Sequence, residues 1–515
     1  MPALHGTSSL IWSYGLVLAS TVGAVVVRRG RVGAYLRTPV MSVIGLLAAA
    51  IAGGVLLYIL EHGAGHPLSL WVRVPVMVII MIAAGVAGGY WLARRGGGAV
   101  TLKRGTAVIS GGDAARRRGI GEHGLMFAGV TLDPLDETKH FKLLGTTGTG
   151  KSTAIRELLQ AALARGDRAV FADPDVGYLA KFYDPARGDV ILNPFEPRSA
   201  RWDLYQELRS PYDYDQMARS LIGEGTGAER TWKGYAQTFC SSLLRQTHEV
   251  GVCDMQEFYR LLTSAPVSEL RELLEGTPAQ SFLEPDNERM FGSVRAVATA
   301  STTALDYIRV QKGDGFSIRR WLEEGIGVLF LPYRADQVAA LRSIISTWMR
   351  IAIFQTLSQD EKDHRIWFVV DELDALGAID GLKDALARLR KFGGRCVLGF
   401  QSIAQVSGLY GEQEAQTIVE NCGNTLILRC SASERGGTAE FASRLIGQRE
   451  VIRPKVMQTR SRNVLDWQRG STSRTVEYVV EHAVMASEIE QLADLAGYLK
   501  IASQPTWNKV KLGRG

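Results

Sequence analysis

Cysteine is scarce in this sequence and carries no pattern: Cys240, Cys253, Cys396, Cys422 and Cys430 are odd in number and include no Cys-x-x-Cys. A disulfide framework and a zinc ribbon are thereby excluded, and a reducing compartment fits best. The eight histidines include no His-Glu-x-x-His, so the helical zinc-protease motif is absent as well. Neither an internal repeat nor a long low-complexity segment occurs. Charged residues are missing altogether from positions 1–27.

What is present is a chain of 515 residues, 46% hydrophobic and 22% charged. That is enough for about three domains and excludes both a small module and a wholly disordered protein. The net charge of +6 invites a nucleic-acid reading of the whole chain, but the charge is not spread evenly. Residues 28–118 hold twelve basic side chains against Glu61 and Asp113, a balance of +10, which leaves −4 for the rest. Basicity therefore belongs to the N-terminal region and favours a membrane surface before DNA.

Three apolar stretches lie in that region: Leu10–Val27, Val40–Leu60 and Val74–Ala93. At 1.5 Å per residue each can cross about 30 Å of hydrocarbon, the first only just. No positive charge precedes Leu10, and Arg28, Arg29 and Arg31 follow where a cleavage site would stand, so the expectation is retained spans rather than a signal peptide. Arginines at 28–39 and beyond residue 93 place those parts, and the body after them, on the cytoplasmic side. Two or three spanning segments fit equally. Gly45, Ala49 and Gly53, and likewise Gly85 and Gly89, recur at four-residue spacing, which suits close helix packing in lipid.

From residue 140 short β-rich runs alternate with amphipathic ones. Strands are expected at Phe141–Leu144, Ala169–Ala172, Val190–Leu192, Val328–Leu331, Ile366–Val370, Cys396–Phe400 and Thr425–Leu428. This pattern predicts an α/β domain with a mainly parallel sheet flanked by helices. Between about 200 and 310 the alternation stops, which predicts an all-α insertion. Within it Trp232, Tyr235, Ala236, Phe239, Cys240, Leu243 and Leu244 share one helical face, read here as core. The polar run Arg453–Thr475 reads as a loop, and Ser487 with Glu490 as a capping box. The domain expectation is a transmembrane anchor over 1–95, a nucleotide-binding domain in two parts, 96–200 and 311–515, and the all-α insertion at 201–310.

The sharpest motif is Gly145-Thr146-Thr147-Gly148-Thr149-Gly150-Lys151-Ser152, after an expected strand and opening an expected helix that continues through Thr153. G-x-x-x-x-G-K-[ST] in that setting is a phosphate-binding loop: glycines let backbone amides turn toward phosphate oxygens, Lys151 reaches the β- and γ-phosphates, and Ser152 ligates Mg²⁺. Ile366–Val370 ends in Asp371-Glu372, a pair suited to hold the Mg²⁺ shell and to orient an attacking water. Gln401 closes the next expected strand, where it can sense the γ-phosphate. In the helix expected over Ile379–Lys391, Asp380 is set to pair with Lys383 and Asp384 with Arg388, which leaves Arg390 free for an anion held by a neighbouring subunit.

These blocks, together with Asp173-Pro174 and the following Lys181-Phe182, Ile191-Leu-Asn-Pro-Phe195, Phe316-Ser-Ile-Arg-Arg-Trp-Leu322, Asp371-Glu-Leu373, and Gly399-Phe-Gln-Ser402 with Gln405, resemble the TraD/TrwB-type coupling proteins of type IV secretion and conjugation. The resemblance covers most of the chain. It implies a RecA-like ATPase domain with an all-α insertion, held in the bacterial inner membrane by N-terminal helices and assembled as a homo-hexamer. It further implies ATP and Mg²⁺ as cofactors, DNA as translocated substrate, and a relaxase and the secretion channel as partners. Lys151, Glu372, Gln401 and Arg390 take catalytic places by the same resemblance, Arg390 acting in trans. The family's anchor has two spans, whereas this sequence offers three apolar segments. An ATPase moving protein only, a nucleotide-holding scaffold and a chromosome-segregation motor are the competing readings. A separate C-terminal DNA-reading module, usual in the last, has too few residues after Thr475.

Overall fold

The computed structural model describes residues 13–14, 16–22, 24, 38–64, 69–95, 101–110, 125–225, 227–359, 365–432, 437–459 and 471–513. They fall into two compact units, one of residues 1–103 with 451–479 and one of 104–450 with 480–515.

In the first unit two long helices, α1 (Thr38–Ala64) and α2 (Leu70–Arg95), follow directly from the apolar runs. Within them Thr38–Leu60 and Trp71–Gly89 are long and apolar enough to cross a membrane. Their outward positions are apolar as well, with Leu47, Ile51 and Ile79 all more than 60% exposed, which suits a lipid surround. Of the earliest apolar stretch, Leu10–Val27, residues 13–14, 16–22 and 24 are described, and all of these are helical. That helix packs on α2 at the small-residue face: a Cβ at Gly85 would stand 2.8 Å from the Val17 carbonyl oxygen. Gly45 meets Val17 in the same way, so the glycine spacing reflects helix packing rather than chance.

The second unit is built on a ten-stranded sheet. In chain order its strands are β1 (Val108–Ser110), β2 (Phe141–Leu144), β3 (Arg168–Pro174), β4 (Val190–Ile191), β5 (Val328–Tyr333), β6 (Ile366–Val370), β7 (Gly394–Phe400), β8 (Asn424–Ile427), β9 (Ala496–Lys500) and β10 (Trp507–Lys511). Their spatial order is β1-β10-β9-β8-β2-β7-β6-β3-β5-β4. From β8 to β4 every neighbouring pair is parallel, while β9 pairs antiparallel with β8 and with β10. All seven expected strands are present. They were readable because both faces of a parallel sheet are covered, so each strand is a continuous apolar run. Strands β9 and β10 lack the continuous apolar run of the parallel strands, each being five residues with a glycine or several polar residues among them.

Helix α3 (Lys151–Ala164) covers one face, burying Ala154, Ile155, Leu158 and Leu159 against Phe141, Phe171, Phe330 and Trp367. Helix α4 (Val338–Leu357) covers the other, with Ile345, Trp348 and Met349 against Leu331, Phe368 and Leu398. Between Leu204 and Ile308 the regular elements among the described residues are all helices, and the short parallel pair Arg201–Trp202 and Gly315–Phe316 closes the base of this excursion. Its helix Glu229–Glu249 buries Ala236, Phe239, Cys240, Leu243 and Leu244 as expected, but Trp232 and Tyr235 stand 39% and 37% exposed. The core covers only the later turns of that face.

Three local expectations are corrected. The helix expected over Ile379–Lys391 spans Leu382–Leu389, since Gly381 adopts φ +70° at its start, and Asp380 pairs with Arg350 instead of Lys383. Asp384 lies 3.9 Å from Lys383 rather than against Arg388. Much of Arg453–Thr475 is not loop: residues 448–459 and 471–482 are strands, paired in a small sheet with 101–105, while 460–470 lie outside the described residues. The last short helix begins at Ala486, so Ser487 sits inside its first turn and Glu488 faces the Met485 amide.

Candidate nucleotide site

Strand β2 is buried along its whole length and delivers the chain to Gly145 at the C-terminal edge of the sheet. The next six residues turn back into α3 through Gly148 (φ +76°) and Gly150 (φ +114°), values open to glycine and costly for other residues. Crowding adds a second reason, because a Cβ at Gly150 would meet Leu495 Cδ2 at 2.7 Å. The loop is buttressed from outside. Thr146 N donates to the Arg429 carbonyl (2.9 Å), Leu495 N donates to the Thr149 carbonyl (3.0 Å), and Thr149 Oγ1 donates to the Thr146 carbonyl (2.7 Å).

Strand register brings the other groups here. Phe400 of β7 pairs with Leu144 of β2, and Val370 of β6 with Leu398 of β7, so positions 145, 371 and 401 emerge side by side. Gln401 therefore lies between the loop and the acids, one strand nearer the loop than Asp371. Ser152 Oγ donates to Asp371 Oδ2 at 2.6 Å. Thr147 Oγ1 donates to Gln401 Oε1 at 3.0 Å, and Gln401 Nε2 donates in turn to Glu372 Oε1. Lys151, 8% exposed, donates its Nζ to the Gly145 carbonyl at 2.5 Å. Burial lowers the Lys151 ammonium pKa, opposed by Asp371 and Glu372, and burial raises that of the Glu372 carboxyl, opposed by its bond from Gln401.

A cavity of about 640 Å³ opens over this edge, lined by Thr146, Thr147, Gly148, Gly150, Lys151, Ser152 and Thr153 on one side and Asp371, Glu372 and Gln401 on the other. It is large enough for a small ligand. Gly145 and Thr149 sit behind the lining and hold the loop's shape. A hydroxyl beside a carboxylate gives the hard oxygen donors that Mg²⁺ prefers, and the glycine loop opens the N-terminus of α3 beside the cavity, so this set suits a Mg²⁺-bound phosphate. Arg390 is not brought here. It is exposed and precedes β7, at the N-terminal edge of the same sheet.

Two tyrosines and an acid belong to the site without having been read from the sequence. Tyr178 donates its hydroxyl to Asp371 Oδ2 at 2.8 Å. The Tyr333 hydroxyl and Asp374 Oδ1 are buried with no protein partner, both within electrostatic reach of Glu372. No local pattern marks them, since each arrives from a turn or strand end whose place is set by the fold.

The model for the type IV secretion-system coupling protein DNA-binding domain matches residues 124–513. The chain belongs to the type IV secretion-system coupling proteins. Among curated relatives, the coupling protein TraD of Escherichia coli K12 is 32% identical over 373 residues, covering 71% of this chain and 51% of TraD. The coupling-protein chain thus spans about half the length of the curated relatives it matches most strongly. Among solved structures, the unbound bacterial conjugative coupling protein TrwB superposes with a TM-score of 0.73 at 33% identity, over 82% of this chain and 96% of that one. TrwB in complex with ADP and Mg²⁺ matches at 0.71 and 33% identity, over 81% and 96%. The fold is accordingly the RecA-like one expected.

Proposed function

We propose that this coupling-protein chain is a membrane-anchored ATPase that drives DNA, with its bound relaxase, toward a type IV secretion channel during conjugation. The observation that carries the reading is the hydrogen bond from Ser152 to Asp371, with Glu372 linked to the same loop through Gln401 and Thr147. The complex of TrwB with ADP and Mg²⁺ supports ATP and Mg²⁺ as the ligands. Residues 1–95 serve as a multi-pass inner-membrane anchor with the body cytoplasmic. Residues 96–200 and 311–515 form the nucleotide-binding domain, and 201–310 the all-α insertion.

The residues divide the work as follows. Amides within residues 147–153 and the Lys151 ammonium hold the phosphates and take up charge as the γ-phosphoryl group leaves, while Gly145 and Thr146, whose amides donate to the Phe400 and Arg429 carbonyls, fix the loop. Mg²⁺, held at Ser152 and Asp371, would offset charge on the bridging phosphate oxygens. Glu372 orients and deprotonates the attacking water, and its raised pKa brings it nearer the pH at which a base works well. Gln401 touches both the loop and Glu372, so it transmits the difference between the triphosphate and diphosphate states. Arg390 lies far from its own chain's cleft, which suits a residue serving the next subunit of a homo-hexamer.

The −4 balance outside the N-terminal region favours one other reading, an ATPase that moves protein only. ATP turnover by the full chain, assayed with and without single- and double-stranded DNA beside Glu372→Gln, separates the two. DNA should raise turnover severalfold and the variant should abolish it. Turnover indifferent to DNA would favour the protein-only reading, and none at all would remove the ATPase.

A further inference from the structure

Strand β3 ends at Asp173-Pro174, and the turn beyond it is unusually constrained. The Asp173 carboxylate accepts from the amides of Tyr178 (2.8 Å) and Leu179 (2.7 Å), while Asp175 N donates to the Tyr333 carbonyl (2.8 Å). Between these ties Asp175 and Val176 both take positive φ, +55° and +61°. That conformation is strained, most of all for a β-branched valine, and persists only where surrounding contacts enforce it. Gly177 follows, where a Cβ would lie 2.8 Å from the movable guanidinium end of Arg156.

The turn fixes Tyr178. Its ring stacks on Phe171 at 5.2 Å between centroids and is 1% exposed. Its hydroxyl reaches across from β3 to the end of β6 and donates to Asp371 Oδ2, the oxygen that also accepts from Ser152. The other oxygen, Oδ1, faces Gly399, where a Cβ would lie 3.1 Å away. This arrangement is compatible with a bound cation, because a serine hydroxyl can ligate through a lone pair while still donating its proton.

We propose that Tyr178 is a positioning residue for the divalent-cation site, its hydroxyl locking the Asp371 carboxylate in the orientation that aligns it with Ser152, and that the strained 173–178 turn maintains that lock. The inference rests on the nucleotide reading above and adds to it a residue outside the phosphate loop and the acid pair. Because the hydroxyl acts through Asp371, its loss should change how much cation is needed and leave the nucleotide's own contacts intact. Groups that orient a metal's ligands typically alter metal affinity by 10–100-fold.

The test is equilibrium binding of a fluorescent ATP analogue to the full chain as Mg²⁺ is titrated, for wild type and Tyr178→Phe, with a thermal melt of each. Phenylalanine keeps the stack on Phe171, so the melt should be unchanged. The half-saturating Mg²⁺ concentration should rise about tenfold, with affinity at saturating Mg²⁺ within about twofold of wild type. Val176→Gly, which keeps the hydroxyl but relaxes the turn, provides a second variant should the first not fold; its shift should run the same way, about threefold by the same principle. An unshifted Mg²⁺ requirement in a folded Tyr178→Phe protein, or in folded Val176→Gly if only that variant folds, overturns the proposal. A wild type that does not bind the analogue overturns the nucleotide reading instead, and one that binds it with no Mg²⁺ dependence overturns the cation site and the proposal with it.

Discussion

The two edges of the ten-stranded sheet use the same kinds of side chain to opposite ends. At the N-terminal edge Glu137 accepts from Arg165 through both oxygens (2.8 Å each) and from Arg395 Nε (3.0 Å), while Asp167 accepts from Arg165 and from Trp367 Nε1 (2.9 Å). None of these four charged side chains has a buried polar atom without a partner. At the C-terminal edge the acids are Asp371, Glu372 and Asp374. There Asp374 Oδ1, the Tyr333 hydroxyl and Arg156 Nε are buried without partners, and the loop glycines hold positive φ beside a cavity. An unmade bond beside a cavity does not by itself separate the edges, since Arg168 Nε is also buried without a partner next to a smaller cavity of about 260 Å³ at the N-terminal edge. What separates them is the glycine loop and acid pair that face the 640 Å³ cavity, a setting that a ligand completes.

Breaking each edge should therefore produce a different kind of damage. Glu372→Gln removes a base and little packing, so turnover should fall by about 10²–10⁴ while the melt and analogue binding stay as in wild type. A parallel fall in melting temperature would show that Glu372 is structural. Glu137→Gln leaves two arginines facing an uncharged amide, one of them, Arg395, only 5% exposed. The expected loss is about 3–5 kcal/mol of stability, read by thermal or denaturant unfolding, with the Mg²⁺ requirement of the folded fraction unchanged. A shifted Mg²⁺ requirement would show that the two edges are coupled.

The smallest of these effects concerns pH. His140, near the saturated cluster, is 2% exposed, accepts from Cys396 N and lies 2.9 Å from the Leu386 carbonyl. Burial depresses its pKa from 6.5 to about 4. A depressed pKa means the unfolded chain binds the proton more readily, so the contribution is present above pH 6.5 and is lost as pH falls toward 4. That is about 3 kcal/mol at most. Melting temperature measured from pH 7 to 4 should fall, and His140→Gln should flatten part of the decline. An identical decline in that variant would place the acid sensitivity elsewhere.

How much of this was legible beforehand follows the same physics. The parallel strands and the Gly145–Ser152 loop could be read because each is a local pattern, an apolar run or a glycine spacing, with its meaning contained in a few consecutive residues. Ser152, Asp371, Glu372 and Gln401 were each named from their own motifs, and only strand register brought them together. Tyr178, Tyr333 and Asp374 could not be found in that way, because their importance comes from neighbours more than a hundred residues distant or from a bond left unmade. The exposure of Trp232 and Tyr235 was misjudged since periodicity shows which residues share a face but not how far along the helix the core extends. The strands at 448–459 and 471–482 were missed because the stretch 453–475 is polar and rich in Arg, while the apolar alternation of Val476, Tyr478 and Val480 falls just beyond it.

The account's central claim is that the cleft at the C-terminal edge holds a nucleoside triphosphate with its cation. A structure of the full chain determined with a non-hydrolysable ATP analogue and Mg²⁺ tests it most directly. The account predicts phosphates against the amides of residues 147–152, the cation touching Ser152 and beside Asp371, and Glu372 facing the γ-phosphate. Nucleotide bound at any other place, or a cleft left empty at saturating analogue, would contradict it.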